Sequence, residues 1–253
     1  MDRQDQNTGL LESVGNFIAR KGRRVWPLTV TAKETIAPRM MRVSFRGPDL
    51  DELPWLRGQD VVLEIPTATG LSRRHYTIRA HDAAAKTLAI DFVLHGEGAS
   101  GPWLDALKPG DRVDAVGPRG HTYVRAADWH LFTGDETCIP GIFAMIEGLP
   151  DDTLVHAFIE IGDEADKLPL VAKADVRLHW ISRGGAQAGP NDRVYNAVEQ
   201  FVFPEGEGFA YTIGETSTVR KLRHRLLDRG FPRGRIAAEG YWRPGRVGGH
   251  DHV

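Results

Sequence analysis

Residues 73–79 read Arg73-Arg74-His75-Tyr76-Thr77-Ile78-Arg79 and end a predicted half-buried strand. The Arg74 guanidinium can donate two parallel hydrogen bonds to a pyrophosphate. The Tyr76 ring can lie against an isoalloxazine, and the Thr77 hydroxyl can hydrogen-bond the flavin ring. An arginine, a tyrosine and a threonine in this order therefore predict a flavin-binding strand. A basic turn beside an ordinary strand is the alternative, so the surrounding sequence has to decide between the two.

The flanking sequence, from residue 26 to 127, alternates apolar and polar residues with a period of two. Strands are predicted at residues 28–32, 41–46, 61–65, 76–79, 88–95, 112–116 and 121–124. Turn sequences such as Pro109-Gly110-Asp111 and Gly117-Pro118 separate several of them. Short strands at this spacing, without long helical segments, predict an antiparallel β-barrel of about a hundred residues.

A loop of small residues, Gly96-Glu97-Gly98-Ala99-Ser100-Gly101-Pro102-Trp103, follows the strand that ends at His95. Small residues and a hydroxyl ahead of a helix bring backbone N–H groups close to a phosphate, which the helix N-terminus also favours. The loop therefore predicts a phosphate contact, and a tight turn between strand and helix is the alternative. His95 ends its strand beside the predicted flavin. Its ring or backbone can contact the cofactor there, or it can be a structural side chain.

After about residue 128 the pattern changes to strands that alternate with helices. Strands are predicted at residues 129–133, 154–161, 176–182, 209–213 and 236–241, and helices at 139–148, 192–202 and 216–229. This alternation predicts a parallel sheet with helical crossovers, in which ligands bind at the carboxyl ends of the strands. The sequence thus indicates a two-domain protein, a β-barrel followed by an α/β nucleotide-binding domain.

The first strand of this second domain runs into Gly134-Asp135-Glu136-Thr137, with Pro140 near a helix start. Such a turn places a glycine and a helix N-terminus against a nucleotide. It is not a Gly-x-Gly-x-x-Gly motif, and Asp135 and Glu136 would repel a pyrophosphate set directly against them. We therefore expect these carboxylates to cap the helix or to contact ribose or nicotinamide. Cys138 is either a thiol of lowered pKa or a buried packing residue.

Arginines and aromatic residues follow the later strands. Arg183 comes after the strand at 176–182 and suits the 2′-phosphate of NADPH, with a surface-loop arginine as the alternative. Gly214-Glu215 is a third strand-to-helix turn. The segment Tyr241-Trp242-Arg243-Pro244-Gly245-Arg246 puts two aromatics and two arginines just past the last strand. The aromatics can cover the flavin or the ligand mouth, or only pack, and the arginines can form a basic rim or be ordinary exposed residues.

Composition and the chain ends set the remaining limits. The 253 residues are 41% hydrophobic and 26% charged with a net charge of -2, which gives no reason to expect nucleic acid or an anionic membrane as partner. Cys138 is the only cysteine, which excludes an internal disulfide framework and a cysteine-ligated metal site made by this chain alone. Residues 1–25 predict a short amphipathic helix and a basic segment, and residues 247–253 a flexible tail without a defined metal site. Since no signal peptide or membrane-spanning run is apparent, we expect a cytoplasmic protein.

These features together resemble the siderophore-interacting protein family, the flavin-dependent ferric-siderophore reductases of the ferredoxin–NADP reductase-like superfamily. The motifs that carry the resemblance are Arg74-His75-Tyr76-Thr77, Asp91-Phe92-Val93-Leu94-His95-Gly96, Pro109-Gly110-Asp111 with Gly117-Pro118, Gly134-Asp135-Glu136-Thr137, Gly214-Glu215 and Tyr241-Trp242-Arg243-Pro244-Gly245. They run in the family's order over nearly the whole chain. One departure is the small-residue loop, where the family usually reads Gly-Pro-Ala-Ser-x-Trp and the hydroxyl of Ser100 lies one place earlier.

The resemblance implies FAD on the barrel, residues 26–127, and NADPH, or NADH as second choice, on residues 128–246. With the motifs above, the predicted cofactor contacts are Arg74, His75, Tyr76, Thr77, Asp91, Phe92, Val93, His95, Gly98, Ala99, Ser100, Gly101, Trp103, Gly134, Asp135, Glu136, Thr137, Arg183, Gly214, Glu215, Tyr241 and Trp242. Arg243 and Arg246 are the predicted substrate contacts. No catalytic nucleophile or acid–base pair is expected, because the cofactor carries the chemistry.

The activity implied by the resemblance is reduction of siderophore-bound Fe(III) to Fe(II), which releases the iron. The single cysteine argues against the iron–sulfur class of ferric-siderophore reductases. Two alternatives stay open. A general flavin or ferric reductase would keep the same cofactor motifs, and a non-enzymatic siderophore-binding flavoprotein would keep FAD but lack productive nicotinamide docking. An electron-donor protein such as ferredoxin could replace the nicotinamide nucleotide.

Overall fold

The structure, a computed structural model, describes residues 24–67, 70–94, 100–246 and 251–252. The predicted N-terminal helix and almost all of the basic segment after it lie outside these residues, as do His95, Gly98 and Ala99 of the predicted cofactor contacts. None of the helices in the described ranges has the length and apolar character needed to cross a bilayer.

Six antiparallel strands form a closed barrel in the first half of the chain. They are β1 (Val25–Ala37), β2 (Met40–Arg46), β3 (Asp60–Thr67), β4 (Gly70–Asp82), β5 (Thr87–Val93) and β6 (Arg112–Arg119), in the spatial order β1-β2-β5-β4-β3-β6. Alternating apolar residues such as Phe45, Leu63, Ile78 and Ile90 point inward and are fully buried. A short helix, α1 (Ser100–Ala106), follows β5. The predicted antiparallel barrel is confirmed.

The strand predicted at residues 121–124 is wrong, because these residues lie in an irregular connection between the two domains. Thr122 and Val124 are buried or partly buried by contacts with the second domain and not by pairing in a sheet. The Thr122 hydroxyl donates to Glu239, and Val124 packs against the core of the α/β domain. The backbone N–H of Arg125 donates to the Tyr211 hydroxyl.

A six-stranded sheet forms the centre of the second half. Its strands are β7 (Trp129–Gly134), β8 (Leu154–Ile161), β9 (Asp175–Ser182), β10 (Gly208–Glu215), β11 (Ile236–Trp242) and β12 (Asp251–His252), in the order β12-β11-β10-β7-β8-β9. Strands β7 to β11 are parallel, and β12 pairs antiparallel with β11. The helices are α2 (Ile139–Ile146), α3 (Arg193–Glu199) and α4 (Thr216–Asp228). The predicted parallel α/β domain is confirmed.

The topology of this sheet fixes where a ligand can bind. Strand β7 pairs with β8 on one side and with β10 on the other, so the strand order reverses between β7 and β10. In an open parallel sheet the crevice at such a reversal, outside the carboxyl ends of the strands, is the binding site. Two residues of the tail predicted to be flexible, 251 and 252, add β12 to the far edge of the sheet and do not reach this crevice.

Polar pairs and one close approach join the two domains. Arg79 of β4 donates to both carboxylate oxygens of Glu147, just after α2, at 2.7 and 2.6 Å. Helix α2 packs against β4, and a Cβ on Gly141 would lie 3.1 Å from Cγ2 of Thr77. A residue larger than glycine at position 141 would therefore require Thr77 of β4 to shift by a few tenths of an ångström.

Candidate cofactor site

The predicted flavin strand is the middle of β4, and its alternation divides the four motif residues between two faces. Arg74 and Tyr76 share one face, and His75 and Thr77 share the other. Among the described residues the Arg74 guanidinium donates only to the carbonyl of Arg73. An arginine has five N–H donors, so most of those on Arg74 are available to an anion such as a pyrophosphate.

Tyr76 forms an aromatic and hydroxyl cluster with the small-residue loop. Its hydroxyl lies 2.6 Å from Oγ of Ser100, and its ring centroid lies 4.4 Å from that of Phe92. The Phe92 ring in turn lies 5.7 Å from that of Trp103. Burial raises the pKa of Tyr76 to about 12, so the phenol stays protonated and can donate. The structure thus brings together four of the residues that the sequence singled out.

Thr77 faces the second domain and meets residues from two of its elements. The threonine side chain is buried beside Gly141 of α2 and shares a hydrogen bond with the side chain of Tyr241, at the end of β11. Burial holds the pKa of Tyr241 well above its ordinary value. Tyr241 therefore lies beside β4, and its contact with a flavin stays a prediction.

His75 and Asp91, two further predicted contacts, have their side chains engaged by other residues. Nδ1 of His75 lies 2.6 Å from an Asp60 carboxylate oxygen. Arg42 donates to both oxygens of Asp91, at 2.6 and 2.7 Å, and the Asp91 side chain is fully buried. A cofactor contact from Asp91 would therefore have to come from its backbone. Val93 packs against the core of the second domain.

Asp135 connects the turns at the carboxyl ends of β7, β10 and β11. Its Oδ1 accepts from the backbone N–H of Thr137 at 2.9 Å, and Oδ2 accepts from the N–H of Glu215 at 3.0 Å and from Nε1 of Trp242 at 2.9 Å. Burial, and then the neighbouring Glu136 carboxylate, raise the pKa of Asp135. Six of the predicted residues thus meet at one point, namely Gly134, Asp135, Thr137, Gly214, Glu215 and Trp242.

Gly214 allows its turn to approach Asp135 closely, and Glu215 caps the N-terminus of α4. Gly214 has a φ of 129°, and a Cβ there would lie 2.6 Å from Oδ2 of Asp135, so a side chain is excluded. The Glu215 carboxylate accepts four hydrogen bonds from the backbone and hydroxyl groups of Ser217 and Thr218. Burial alone would raise the pKa of Glu215, but these bonds together lower it. The expectation that Asp135 caps a helical turn is confirmed, and Glu215 is a second cap.

Arg183 lines the same crevice as Asp135 and Glu215 but is not a surface residue. Its side chain is 3% exposed, and the guanidinium donates to Glu136 at 2.7 and 2.5 Å and to Glu160 at 3.2 Å. Asn191 also donates to Glu160, at 3.0 Å. The surface-loop alternative for Arg183 is wrong, and contact with a 2′-phosphate stays a prediction that now requires Glu136 to give way.

The remaining candidates are either exposed on the surface of the second domain or buried in its core. Arg243 and Arg246 are exposed on the turn that follows β11. Cys138 is completely buried, and burial followed by the Asp135 carboxylate raises the pKa of its thiol. The alternative of a lowered thiol pKa is therefore wrong, and Cys138 is a packing residue.

The barrel face fits FAD by its donors and its open space. Arg74 retains donors for phosphate, and Tyr76 supplies a ring and a hydroxyl. A Cβ on Gly101 would meet no atom of the described residues within 4 Å, so none of them fills the space beside this glycine. A contact between a phosphate and the backbone of Gly101 is compatible with this geometry and remains a prediction.

A closed antiparallel barrel joined to a parallel sheet with helices is the fold of ferredoxin reductase-like proteins. The ferredoxin-NADP+ reductase of Plasmodium falciparum has this fold, with a TM-score of 0.67 and 13% identity over 84% of this chain and 95% of that one. At this identity the likeness shows the fold alone.

Comparisons with known proteins identify the family. A family model described as "Siderophore-interacting FAD-binding domain" matches residues 58–122, and one described as "Siderophore-interacting protein" matches residues 127–245. A siderophore utilization protein from T. fusca is 35% identical, with a TM-score of 0.83 over 89% of this chain and 95% of that chain. The ferric vibriobactin reductase ViuB of Vibrio cholerae is 29% identical over 88% of this chain and 92% of its own length. The chain belongs to the siderophore-interacting protein family and carries its FAD-binding domain.

Several residues of the site were missed by the sequence analysis. They are Asp60, Arg79, Asn191, Glu147, Glu160 and Glu239. Glu160 carried a usable signal, because an acidic residue at the end of the second strand of a parallel sheet is a known ribose contact. The others have no local signature, since each gains its role from a partner far away in sequence.

Proposed function

We propose that this protein is an FAD-dependent NAD(P)H:ferric-siderophore reductase that releases iron by reducing siderophore-bound Fe(III) to Fe(II). The observation that carries the proposal is the contact between the flavin strand and the nucleotide domain. Thr77 of that strand touches Gly141 and Tyr241, and Tyr241 is followed directly by Trp242, which donates to Asp135 in the crevice. A donor in the crevice and a flavin on β4 would therefore meet at one interface.

The barrel residues bind and orient the cofactor in this proposal. Arg74 would donate to the pyrophosphate, Tyr76 would pack against the ring system and donate its hydroxyl, and Thr77 would hydrogen-bond the flavin ring. Acceptance of two electrons from a nicotinamide and their release one at a time is the chemistry that FAD supplies when bound. Tyr241 and the close packing at Gly141 exclude water from the side where Thr77 lies.

The second domain receives the electron donor, NADPH or NADH, across the carboxyl ends of β7 and β10. Asp135 fixes the turns of Gly134 and Gly214 against each other, so the two backbones that a dinucleotide would touch are held in place. No side chain has to act as acid, base or nucleophile. The work of this domain is orientation.

The substrate is a ferric siderophore, and the exposed Arg243 and Arg246 provide positive charge for an often anionic ligand. Fe(II) binds hard oxygen ligands more weakly than Fe(III), so reduction releases the metal. We place the reaction in the cytoplasm on composition, because the single cysteine needs no oxidising compartment.

The test is an anaerobic assay with an Fe(II)-trapping chelator, in which ferric siderophores are compared with simple ferric chelates. We expect faster Fe(II) formation from at least one ferric siderophore than from the simple chelates, with NADPH or NADH as donor. Equal rates with all ferric compounds would favour the general flavin reductase. If neither nucleotide reduces the bound FAD, the proposed NAD(P)H-dependent activity is wrong. Reduction by ferredoxin alone would then identify a protein as the electron donor.

A further inference from the structure

We infer that Glu136 and Glu160 are specificity-determining residues that withhold Arg183 from a 2′-phosphate, so that NADH is the preferred donor. The inference rests on the proposed function, because it names the donor for the same flavin. It reverses the expectation that Arg183 selects NADPH.

The first step is the way in which Arg183 is bound. All three nitrogens of its guanidinium donate inside the protein: Nε to the carbonyl of Ala186 at 3.2 Å, Nη1 to Glu136 and Glu160, and Nη2 to Glu136. The Arg183, Glu136 and Glu160 side chains are 3%, 7% and 6% exposed. A 2′-phosphate could reach this arginine only by displacing a buried carboxylate, and a displaced buried charge is costly.

The second step is the position of Glu160. It is the last residue but one of β8, the strand next to β7, at the edge where nucleotides bind. In parallel sheets of this kind an acidic residue near the end of the second strand accepts hydrogen bonds from the ribose 2′-hydroxyl of NAD, while an arginine accommodates the 2′-phosphate of NADP. Glu160 and Arg183 are both present here, so the preference for NADH or NADPH depends on which of the two can contact the ribose substituent.

The third step is that Glu160 keeps an acceptor for a hydroxyl. Its Oε1 accepts from Arg183 and from Asn191. Within the described parts of the chain no donor is bonded to Oε2, and Glu160 lines a cavity of about 20 Å³ together with Gly134, Arg183 and Trp242. A ribose hydroxyl can donate to such an oxygen, whereas a phosphate dianion would be repelled by it.

The fourth step is the charge of the surroundings. Glu136 and Glu160 share one guanidinium, and Asp135 and Glu215 line the same cavity. The carboxylates of Asp135 and Glu215 also take the backbone N–H groups of Thr137, Ser217 and Thr218, which begin the two helical segments at the crevice. The groups that elsewhere attract phosphate are therefore satisfied internally, and an additional phosphate meets excess negative charge.

The experiment measures binding as well as turnover with the FAD-loaded protein. Dissociation constants of NAD+ and NADP+ are determined by calorimetry, and anaerobic flavin bleaching by NADH and NADPH is followed, for the wild type, Glu136→Gln and Glu160→Gln. We expect the wild type to bind NAD+ at least about tenfold more tightly than NADP+. Glu136→Gln keeps the shape of the side chain but releases Arg183, and we expect it to tighten NADP+ binding about tenfold with little change for NAD+.

Glu164→Gln is the matched control, because Glu164 is an exposed glutamate just beyond β8. It should leave both constants unchanged. If Glu136→Gln does not retain FAD, Glu160→Gln must shift the NADP+ to NAD+ ratio in the same direction. A wild type that prefers NADP+, or a ratio that neither glutamine variant changes, overturns the inference and leaves the proposed function intact. Failure of both nucleotides to bind or to bleach the flavin overturns both.

Discussion

Arg74 on the barrel and Arg183 in the α/β domain are both arginines that the sequence assigned to a phosphate, yet their surroundings differ. Among the described residues Arg74 donates to one backbone carbonyl, whereas Arg183 donates to two carboxylates and a carbonyl. The barrel keeps its donors for a ligand, and the second domain satisfies its own. A resident cofactor therefore suits the barrel, and a donor that binds and leaves suits the crevice of the second domain.

The largest expected effect is on the open side of this comparison. Arg74→Ala removes a charged, forked donor, and we expect FAD affinity to fall about a hundredfold, since a charge-assisted pair is worth up to about 3 kcal/mol. Calorimetric titration of the FAD-free protein with FAD measures it. Arg46→Ala, at an exposed arginine of β2, is the control and should bind FAD normally. Equal affinities of the two variants would show that Arg74 does not bind the cofactor.

The next effect is on the crevice of the second domain. Gly214→Ala forces a side chain into a positive-φ position 2.6 Å from Asp135, at a cost of about 2 kcal/mol. We expect the rate of flavin reduction by NADH to fall about thirtyfold while FAD affinity is unchanged. Gly234→Ala, where a Cβ would meet no atom of the described residues within 4 Å, is the matched control. A loss of FAD from Gly214→Ala would contradict the separation of the two sites.

Low pH is expected to destabilise the second domain through His130, a buried histidine of strand β7. Burial lowers the pKa of His130 to about 4 from an ordinary value of 6.5. Between about pH 6.5 and pH 4 the unfolded chain therefore binds a proton at His130 that the folded chain does not bind. The free energy of unfolding falls as the pH drops through this range. From neutral pH to about pH 5 the expected loss is about 2 kcal/mol in the free energy of unfolding.

Denaturant unfolding of wild type and His130→Gln at both pH values measures this loss. We expect the variant to lose about 2 kcal/mol less than the wild type between the two pH values, whatever its absolute stability. His224→Gln, at an exposed histidine of α4, should behave like the wild type. An acid-dependent loss of the same size in His130→Gln would contradict the assignment to this residue.

The smallest effect concerns a single hydroxyl on the barrel. Tyr76→Phe keeps the ring against Phe92 but removes the hydrogen bond to Ser100. We expect a fall in FAD affinity of only a few-fold, about 1 kcal/mol, because ring packing is retained. Tyr76→Ala should cost much more in the same titration. A Phe variant as weak as the Ala variant would place the hydroxyl, and not the ring, at the centre of cofactor binding.

The sequence predicted the elements best where one face of a segment is buried in a regular sheet. Strand β8 was predicted with its observed limits, and α4 to within one residue, because their apolar residues repeat with the period of the element. Residues 121–124 were wrongly predicted as a strand, because Thr122 and Val124 contact the second domain without pairing in a sheet. Barrel strand β4 begins at Gly70, earlier than predicted, because its first residues are exposed.

The site was predictable only in part. Turns at strand ends carry glycine and acidic residues in a recognisable order, which located Asp135 and Glu215. The partners of Arg183 and His75 were not predictable, because Glu160 and Asp60 come from other strands and meet them only in the folded chain. Whether an arginine is open to a ligand or used internally is a property of the tertiary structure.

The most direct test of the account follows the flavin colour in one anaerobic experiment. FAD-loaded protein is mixed with NADH and then with a ferric siderophore. We expect the flavin to bleach on the first addition and to regain its colour on the second, with Fe(II) appearing in a trapping chelator. Flavin that stays oxidised with both NADH and NADPH, although a chemical reductant bleaches it, would contradict the account.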